Sequence, residues 1–252
     1  MKIDYESIKN NKDYFKPNED LFFVDEHNKL FMVLDGVSRD IVNGSYPKPS
    51  PAAQATKIMA DTVHQYLTHN YEQLQVNTTL VLQEAIKMGN LAVESFNKKL
   101  NHSFLAGTVA VLVYIQQKRL FYCYIGDCVA AIIRHNSLLE FTKQQTELIR
   151  IHKDKYTKEQ VRNDICNNSR HKYCYGVLNG QESALQLLKF GHIDLQDNDT
   201  IILATDGLEK ILNSNYITQL QSLSCRELIH LVTELEEKYN FTDDKTIIKI
   251  KF

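Results

Sequence analysis

Tryptophan is absent from the 252 residues, proline occurs four times and glycine nine times. Such low glycine and proline usage excludes a collagen-like or low-complexity chain. The five cysteines, Cys123, Cys128, Cys166, Cys174 and Cys225, are odd in number and scattered, with no C-x-x-C pair. That pattern speaks against a disulfide framework or a zinc site and fits reduced thiols in a cytoplasmic protein. No run approaches the roughly 18 apolar residues of a membrane span, and the polar opening Met1-Lys2-Ile3-Asp4-Tyr5-Glu6 lacks the apolar stretch of a signal peptide. Charge of one sign is also lacking: the formal net charge is −2, so no global field favours nucleic acid or an anionic membrane, and neither is expected as a partner. The His residues are dispersed without metal-ligand spacing. No internal repeat or linker is evident.

What the chain does have is core material. Hydrophobic residues make up 43% of it, enough at this length for one substantial core, and a single domain over residues 1–252 is expected. Leu21 to Val24 and Leu30 to Leu34 flank the turn-like Asp25-Glu26-His27-Asn28-Lys29 and read as a hairpin. Ser50-Pro51 reads as an N-cap followed by proline at the first helical position. Ala55, Ile58, Met59, Val63, Tyr66 and Leu67 continue that helix, and a second long helix starts at Thr78 or Thr79. Thr108 to Ile115, Leu120 to Ile125, Val129 to Arg134 and Leu138 to Phe141 read as an antiparallel meander. Residues 143–182 are polar and locally basic, with eight Lys and Arg against four acids between Lys143 and Lys172. A strand near Ala184 to Phe190, another at Thr200 to Ala204, helical patterns from Gly207 to Tyr239 and a last strand complete the chain. Runs of strands and helices without regular alternation point to an α+β fold, two packed antiparallel sheets with helices outside.

Two Asp-Gly pairs stand out. Each closes a short apolar run: Phe31-Met32-Val33-Leu34-Asp35-Gly36 and Ile201-Ile202-Leu203-Ala204-Thr205-Asp206-Gly207. Such a run reads as a buried strand ending in a turn, so each delivers a carboxylate from a rigid sheet. A third acidic spot, Asp243-Asp244, precedes the last apolar run. Carboxylates so placed serve as turn formers or as ligands for hard divalent cations.

The ordered set is more specific than its parts. Asn18-Glu19-Asp20, Asp35-Gly36, Ala106-Gly107-Thr108, Ile125-Gly126-Asp127-Cys128, Ala204-Thr205-Asp206-Gly207-Leu208 and Asp243-Asp244-Lys245-Thr246 together resemble the protein phosphatase 2C family of metal-dependent serine/threonine phosphatases. The resemblance implies an αββα four-layer sandwich and a pair of Mn2+ or Mg2+ ions. It implies Asp35 as the bridging, catalytic carboxylate with the Gly36 carbonyl as a further ligand. Asp206 and Asp243 match the other metal carboxylates, Glu19 and Asp20 an acidic pair holding metal-bound waters, and Asp127 a third metal site. The implied partner is a phosphorylated protein, hydrolysed by attack of a dinuclear-metal-bound hydroxide, and the implied state is a monomer. The chemistry has its own rationale. A phosphomonoester carries about −1.5 to −2 charge at neutral pH, and two cations neutralise it while lowering the pKa of a shared water.

Four positions depart from the family pattern. Phe15 stands where many members carry a phosphate-gripping arginine, and the adjacent Lys16 would point elsewhere in an extended segment. Val37 replaces the usual His or Met, Cys128 replaces a serine, and Lys210 replaces a second aspartate of the third metal site. Lys210 is therefore expected to pair with Asp127 or to reach the substrate phosphate, leaving a third ion doubtful. Arg39 is a second candidate for phosphate contact. The basic stretch at 143–182 falls where members carry a variable flap, which gives Arg150, Arg162 and Arg170 a substrate-facing reading beside that of an ordinary solvated face. Phe15 and Val37 also keep open a catalytically weak or inactive regulatory module of the same fold.

Overall fold

The computed structural model describes residues 1–10, 16–37, 45–100, 104–239 and 243–252. Two five-stranded antiparallel sheets form its centre. One has the order β1 (Lys2–Ile8), β10 (Lys245–Lys251), β9 (Thr200–Ala204), β6 (Val129–Arg134) and β7 (Ser137–Glu140). The other has the order β2 (Leu21–Asp25), β3 (Leu30–Val37), β4 (Gly107–Gln116), β5 (Arg119–Ile125) and β8 (Lys189–Asp194).

The central strands are apolar on both faces because both faces are covered. Along β3 and β4, Leu30, Met32, Leu34, Ala110, Leu112 and Tyr114 pack beneath α1 (Pro51–His69) and α3 (Thr78–Leu100), which are separated by the short α2 (Tyr71–Val76). The alternate residues Phe31, Val33, Val109, Val111 and Val113 meet Ala130, Ile132, Ile201, Leu203, Ile248 and Ile250 of the facing sheet. On the far side of that sheet, Val129, Ile133, Ile202, Ala204 and Ile247 pack under α7 (Cys225–Tyr239). Helix, sheet, sheet and helix thus stack as four layers, matching the expected αββα sandwich. The start of α1 is as the sequence indicates: the Ser50 hydroxyl accepts the Ala53 amide at 3.1 Å, with Pro51 at the first helical position.

Four elements differ from the sequence reading. The expected meander is broken, because β5 pairs with β4 and β8 while β6 pairs with β7 and β9 in the other sheet. The chain changes sheets at Gly126, whose φ of +86° is accessible to glycine, and an added Cβ there would lie 2.2 Å from Val109. The segment at Ala184 to Phe190 is a 3-10 helix, Glu182–Leu187, followed by β8. The strand carrying Asp35 does not stop at the Asp-Gly pair but runs on to Val37, with Asp35 opposite Val109 and Gly36 opposite Thr108. Finally, β1 was hidden in a polar sequence; it is an edge strand held by register with β10 from Lys2↔Lys251 to Ile8↔Lys245.

Between β7 and β8 the chain forms α4 (Glu147–His152), the single turn α5 (Lys158–Gln160) and a wide turn at Val161–Ile165. These gather on a small core of Ile149, Ile165 and Tyr173. After β9 come a 3-10 turn over Asp206–Ile211 and α6 (Ile217–Ser222).

Register at the far end of β9 is fixed by a charged clamp. Arg134 donates to both oxygens of Asp199, at 2.9 and 2.7 Å, and also to the Asp194 carbonyl at 2.9 Å. Burial pushes the Asp199 carboxyl up, but the Arg134 hydrogen bonds, the Gln196 amide and the nearby charges outweigh it and hold its pKa below the usual value. A depressed carboxylate stabilises the fold above its unfolded pKa, about 3.9, and that stability is lost as pH falls through the folded value. Asp199→Asn should therefore cost about 1–3 kcal/mol at pH 7, read as a lower melting temperature. The gap to wild type should close as pH drops below about 4. A gap that stayed constant down to acid unfolding would show that the charge of Asp199 contributes nothing.

Candidate active site

Five loop and strand segments bring acidic side chains to one edge of the sandwich. Asp35 comes from β3, Glu19 and Asp20 from the segment before β2, Asp127 from the β5–β6 crossover, Asp206 from the turn after β9, and Asp243 and Asp244 from the segment before β10. Two glycines permit the approach. A Cβ on Gly36 would lie 2.8 Å from the Glu19 carbonyl oxygen and 2.9 Å from its Cβ, and a Cβ on Gly207 would lie 2.0 Å from the Asp244 carbonyl oxygen. The two Asp-Gly pairs are thus more than turn signals: each glycine is the contact point at which one acidic segment lies against another.

The electrostatics record the convergence. The half-buried Asp35 has its pKa pushed well above the ordinary carboxylate range, first by desolvation and then by the charges of Asp20, Asp206, Asp127 and Asp243. Asp20 is likewise raised, first by burial and then by Asp244 and Asp243, against the lowering effect of hydrogen bonds from Thr205 and Thr246. The Thr205 hydroxyl donates to Asp20 at 2.8 Å. Cys128 lies fully buried behind this group, and its thiol is held protonated by burial and by Asp35, Asp127, Asp20 and Asp206. It packs into the core between the sheets and is no nucleophile.

A buried frame orients the acids. Glu19, 1% exposed, accepts the hydroxyls of Tyr46 and Ser50, and Lys16 contacts its other oxygen at 2.9 Å. The Lys16 ammonium also lies 3.5 Å from Asp244. Asp244 accepts the amides of Asn10 at 2.8 Å and Glu19 at 3.0 Å. Behind Asp243, Lys245 donates to its carbonyl at 2.9 Å and pairs at 2.5 Å with Glu236 of α7. Neither Lys16 nor Glu236 was singled out as functional by motif; burial of their charged ends is visible only in three dimensions.

Asp127 has a different partner from the one expected. The charge of Lys210 is felt at Glu236 of α7, and the residue lies beside Asn213, Asn215, Tyr216 and Leu235. The cation on Asp127 is Arg150 of α4, at 3.1 Å, with the Thr146 hydroxyl also donating at 3.0 Å. Arg150 reaches Asp206 at 2.6 Å and Glu209 at 2.7 Å as well. Val37 packs against the core between the sheets. Phe15 and Arg39 lie outside the described residues.

The donor set suits a hard divalent cation: every acidic group is a carboxylate oxygen, and the charge crowded onto Asp35 is what a cation would relieve. Among the described residues no three His, Cys, Asp or Glu side chains already close on one point as a finished cage. Asp206 is engaged by Arg150 instead, so cation binding calls for side-chain rotation within a fixed backbone.

Solved structures share this architecture. PstP, whose catalytic domain is known in complex with two manganese ions, is 17% identical, with a TM-score of 0.72 over 98% of this chain and 96% of its own. The Mycobacterium tuberculosis phosphatase PstP/Ppp is 18% identical, with a TM-score of 0.70 over 98% and 97%. PppA, a regulatory component of the type VI secretion system in Pseudomonas aeruginosa, is 15% identical, with a TM-score of 0.69 over 100% and 97%. No curated protein matches the chain in sequence. The sequence profile described as Protein phosphatase 2C matches residues 9–243, and the chain belongs to that family.

Proposed function

We propose that this protein is a metal-dependent phosphatase that hydrolyses phosphoserine or phosphothreonine in proteins. The observation that carries this reading is the crowding of Asp20, Asp127, Asp206 and Asp243 around Asp35. Such repulsion destabilises a fold unless a ligand relieves it. Asp35, Gly36, Asp206 and Asp243 are the proposed direct ligands, with Glu19 and Asp20 as holders of bound water and Asp127 at the margin. When bound, Mn2+ or Mg2+ would supply charge neutralisation for the phosphate and an activated water.

This chain's own residues do the rest. The Gly36 and Gly207 contacts fix the spacing of the acidic segments. Lys16, Tyr46 and Ser50 hold Glu19 in place, and Lys245 fixes the backbone of Asp243. The buried Cys128 thiol offers no competing nucleophile. Phosphate contacts from Arg39 or Lys210 belong to the same proposal. So do a single catalytic unit over residues 1–252, a cytoplasmic location and a monomeric state; among the described residues no helix is long and apolar enough to cross a membrane. The inactive-module alternative gains nothing from the geometry, since the acidic set is held together as a unit.

Activity tests the reading directly. With manganese, wild type should hydrolyse p-nitrophenyl phosphate and a phosphothreonine peptide. Asp206→Asn should lower the rate by at least the roughly 10–100-fold that follows loss of even an outer partner of a metal. Wild-type rates in Asp206→Asn would overturn the assignment.

Stability offers a second, independent check. Because ionised Asp35 is disfavoured in the fold, removing its charge relieves repulsion in the metal-free state. Metal-free Asp35→Asn should melt about 2–4 °C higher than metal-free wild type at pH 7, on the order of 1 kcal/mol for a chain of this size. Manganese should raise the wild-type melting temperature and leave Asp35→Asn nearly unmoved. An equal metal response in both proteins would place the cation elsewhere.

A further inference from the structure

Arg150 meets three carboxylates at the acidic edge. One nitrogen, Nη2, donates to Asp206 at 2.6 Å and Asp127 at 3.1 Å; the other, Nη1, donates to Glu209 at 2.7 Å and to Gln144 at 3.3 Å. Three carboxylates from two separate segments thus meet on one planar fork. That is the geometry for which a guanidinium is suited and a compact ammonium is not. The Arg150 side chain is 37% exposed, Asp127 14% and Asp206 15%, so the two inner arms are poorly screened, while the half-exposed Glu209 arm adds less.

The segment that presents Arg150 is anchored at its base. The Gln145 side-chain oxygen accepts the amides of Gly126 and Gly176, each at 3.0 Å, and its side-chain nitrogen donates to the Leu187 carbonyl at 2.8 Å. The Gln145 amide donates to the Gly126 carbonyl at 2.9 Å. The next residue, Thr146, donates its hydroxyl to Asp127 and accepts the Arg150 amide at its carbonyl, at 2.9 Å. Ile149 is buried against Ile165 and Tyr173. Arg150 therefore leaves a turn whose start is locked to the same crossover that carries Asp127. Its placement is built into the fold rather than a chance collapse of a long side chain.

We propose that the Arg150 guanidinium is a resident cation on Asp127, Asp206 and Glu209, filling the position that a third divalent ion would otherwise occupy. The proposal rests on the dinuclear reading above. An arginine carries one charge, is protonated at all working pH, and needs no supply of metal. It also holds Asp206 from the side, linking the proposed dinuclear centre to α4. Divalent ions need oxygens closed to about 2.0–2.6 Å of one point. Oxygens spread along a guanidinium fork cannot meet that demand while Arg150 stays.

Metal counting on purified protein equilibrated with manganese and freed of excess tests this. Wild type should hold two ions per chain. Arg150→Gln should hold three, and the added one should be lost again in Arg150→Gln with Asp127→Asn. Three ions in wild type would overturn the resident-cation proposal and leave the phosphatase reading standing. An unchanged count of two in Arg150→Gln with tighter binding would also overturn it, because Arg150 would then be only a competitor at the existing sites. Fewer than two ions in wild type would overturn the dinuclear reading and this proposal with it. Should Arg150→Gln not fold, manganese anomalous diffraction from wild-type crystals decides. Arg150 remaining on Asp127 with no peak there supports the proposal, and a peak on Asp127 with Arg150 displaced refutes it.

Discussion

Like charges repel, and at the acidic edge of this sandwich the chain forces them together. Asp35 feels Asp20, Asp206, Asp127 and Asp243 at once, in a place already poor in water. No carboxylate in that position lowers the free energy of the fold on its own account. The arrangement persists because the elements that carry the acids are fixed elsewhere. β3 and β9 are buried on both faces, with Phe31, Val33, Ile201 and Leu203 on one side and Leu34, Ile202 and Ala204 on the others. Each such side chain contributes about 1.5–3 kcal/mol when fully buried, so a few of them offset the repulsion at one edge. The sheets are the source of rigidity, and the edge is where that rigidity is used.

The protein also distributes counter-charge unevenly, and the unevenness is informative. Lys16 serves Glu19 and Asp244, Lys245 serves Glu236 behind Asp243, and Arg150 serves Asp127, Asp206 and Glu209. Asp20 is steadied by neutral hydroxyl donors, and the largest effects on Asp35, burial and four neighbouring carboxylates, all raise it. Among the described residues the cations named here sit at the periphery of the acidic group. A site meant merely to be stable would place a cation at the middle first. Leaving Asp35 raised creates a position where a mobile cation gains the most.

Much of this was legible in the sequence, for definite reasons. Asp35 and Asp206 were visible because each follows a buried, β-rich run and precedes a glycine, a pattern set by local sterics. Ser50-Pro51 marked a helix start because capping is also local. Two packed sheets with helices outside followed from the order of strands and helices, and the four-layer sandwich from the family resemblance. What escaped depends on distant contacts. β1 is polar because it is an edge strand, and only its pairing with β10 identifies it. The crossover at Gly126 looked like a hairpin turn, because a change of sheet leaves no local trace beyond one glycine. The direction of Lys16 is set by Glu19 and by Asp244, the latter more than two hundred residues away, which no local pattern shows. For the same reason Arg150 takes the place on Asp127 that sequence proximity to Asp206 suggests for Lys210, an exchange visible only in the fold.

That exchange bears on how the fold divides labour. The segment from Lys143 onward reads as polar and locally basic, the profile of a solvated face. Its first residues are nonetheless firmly tied, through Gln145 to Gly126, Gly176 and Leu187. A glutamine can do this because its amide offers donor and acceptor together, satisfying strand-end groups that no continuing strand would satisfy. Once Gln145 is fixed, Thr146 and Arg150 lie one helical turn apart, and the hydroxyl and the guanidinium both reach Asp127. Backbone anchoring and charge balance thus share one short segment. A change in the flap that loosened Gln145 would shift the cation and the acidic edge together, so the basic stretch cannot drift in sequence at its base as freely as its exposed remainder can.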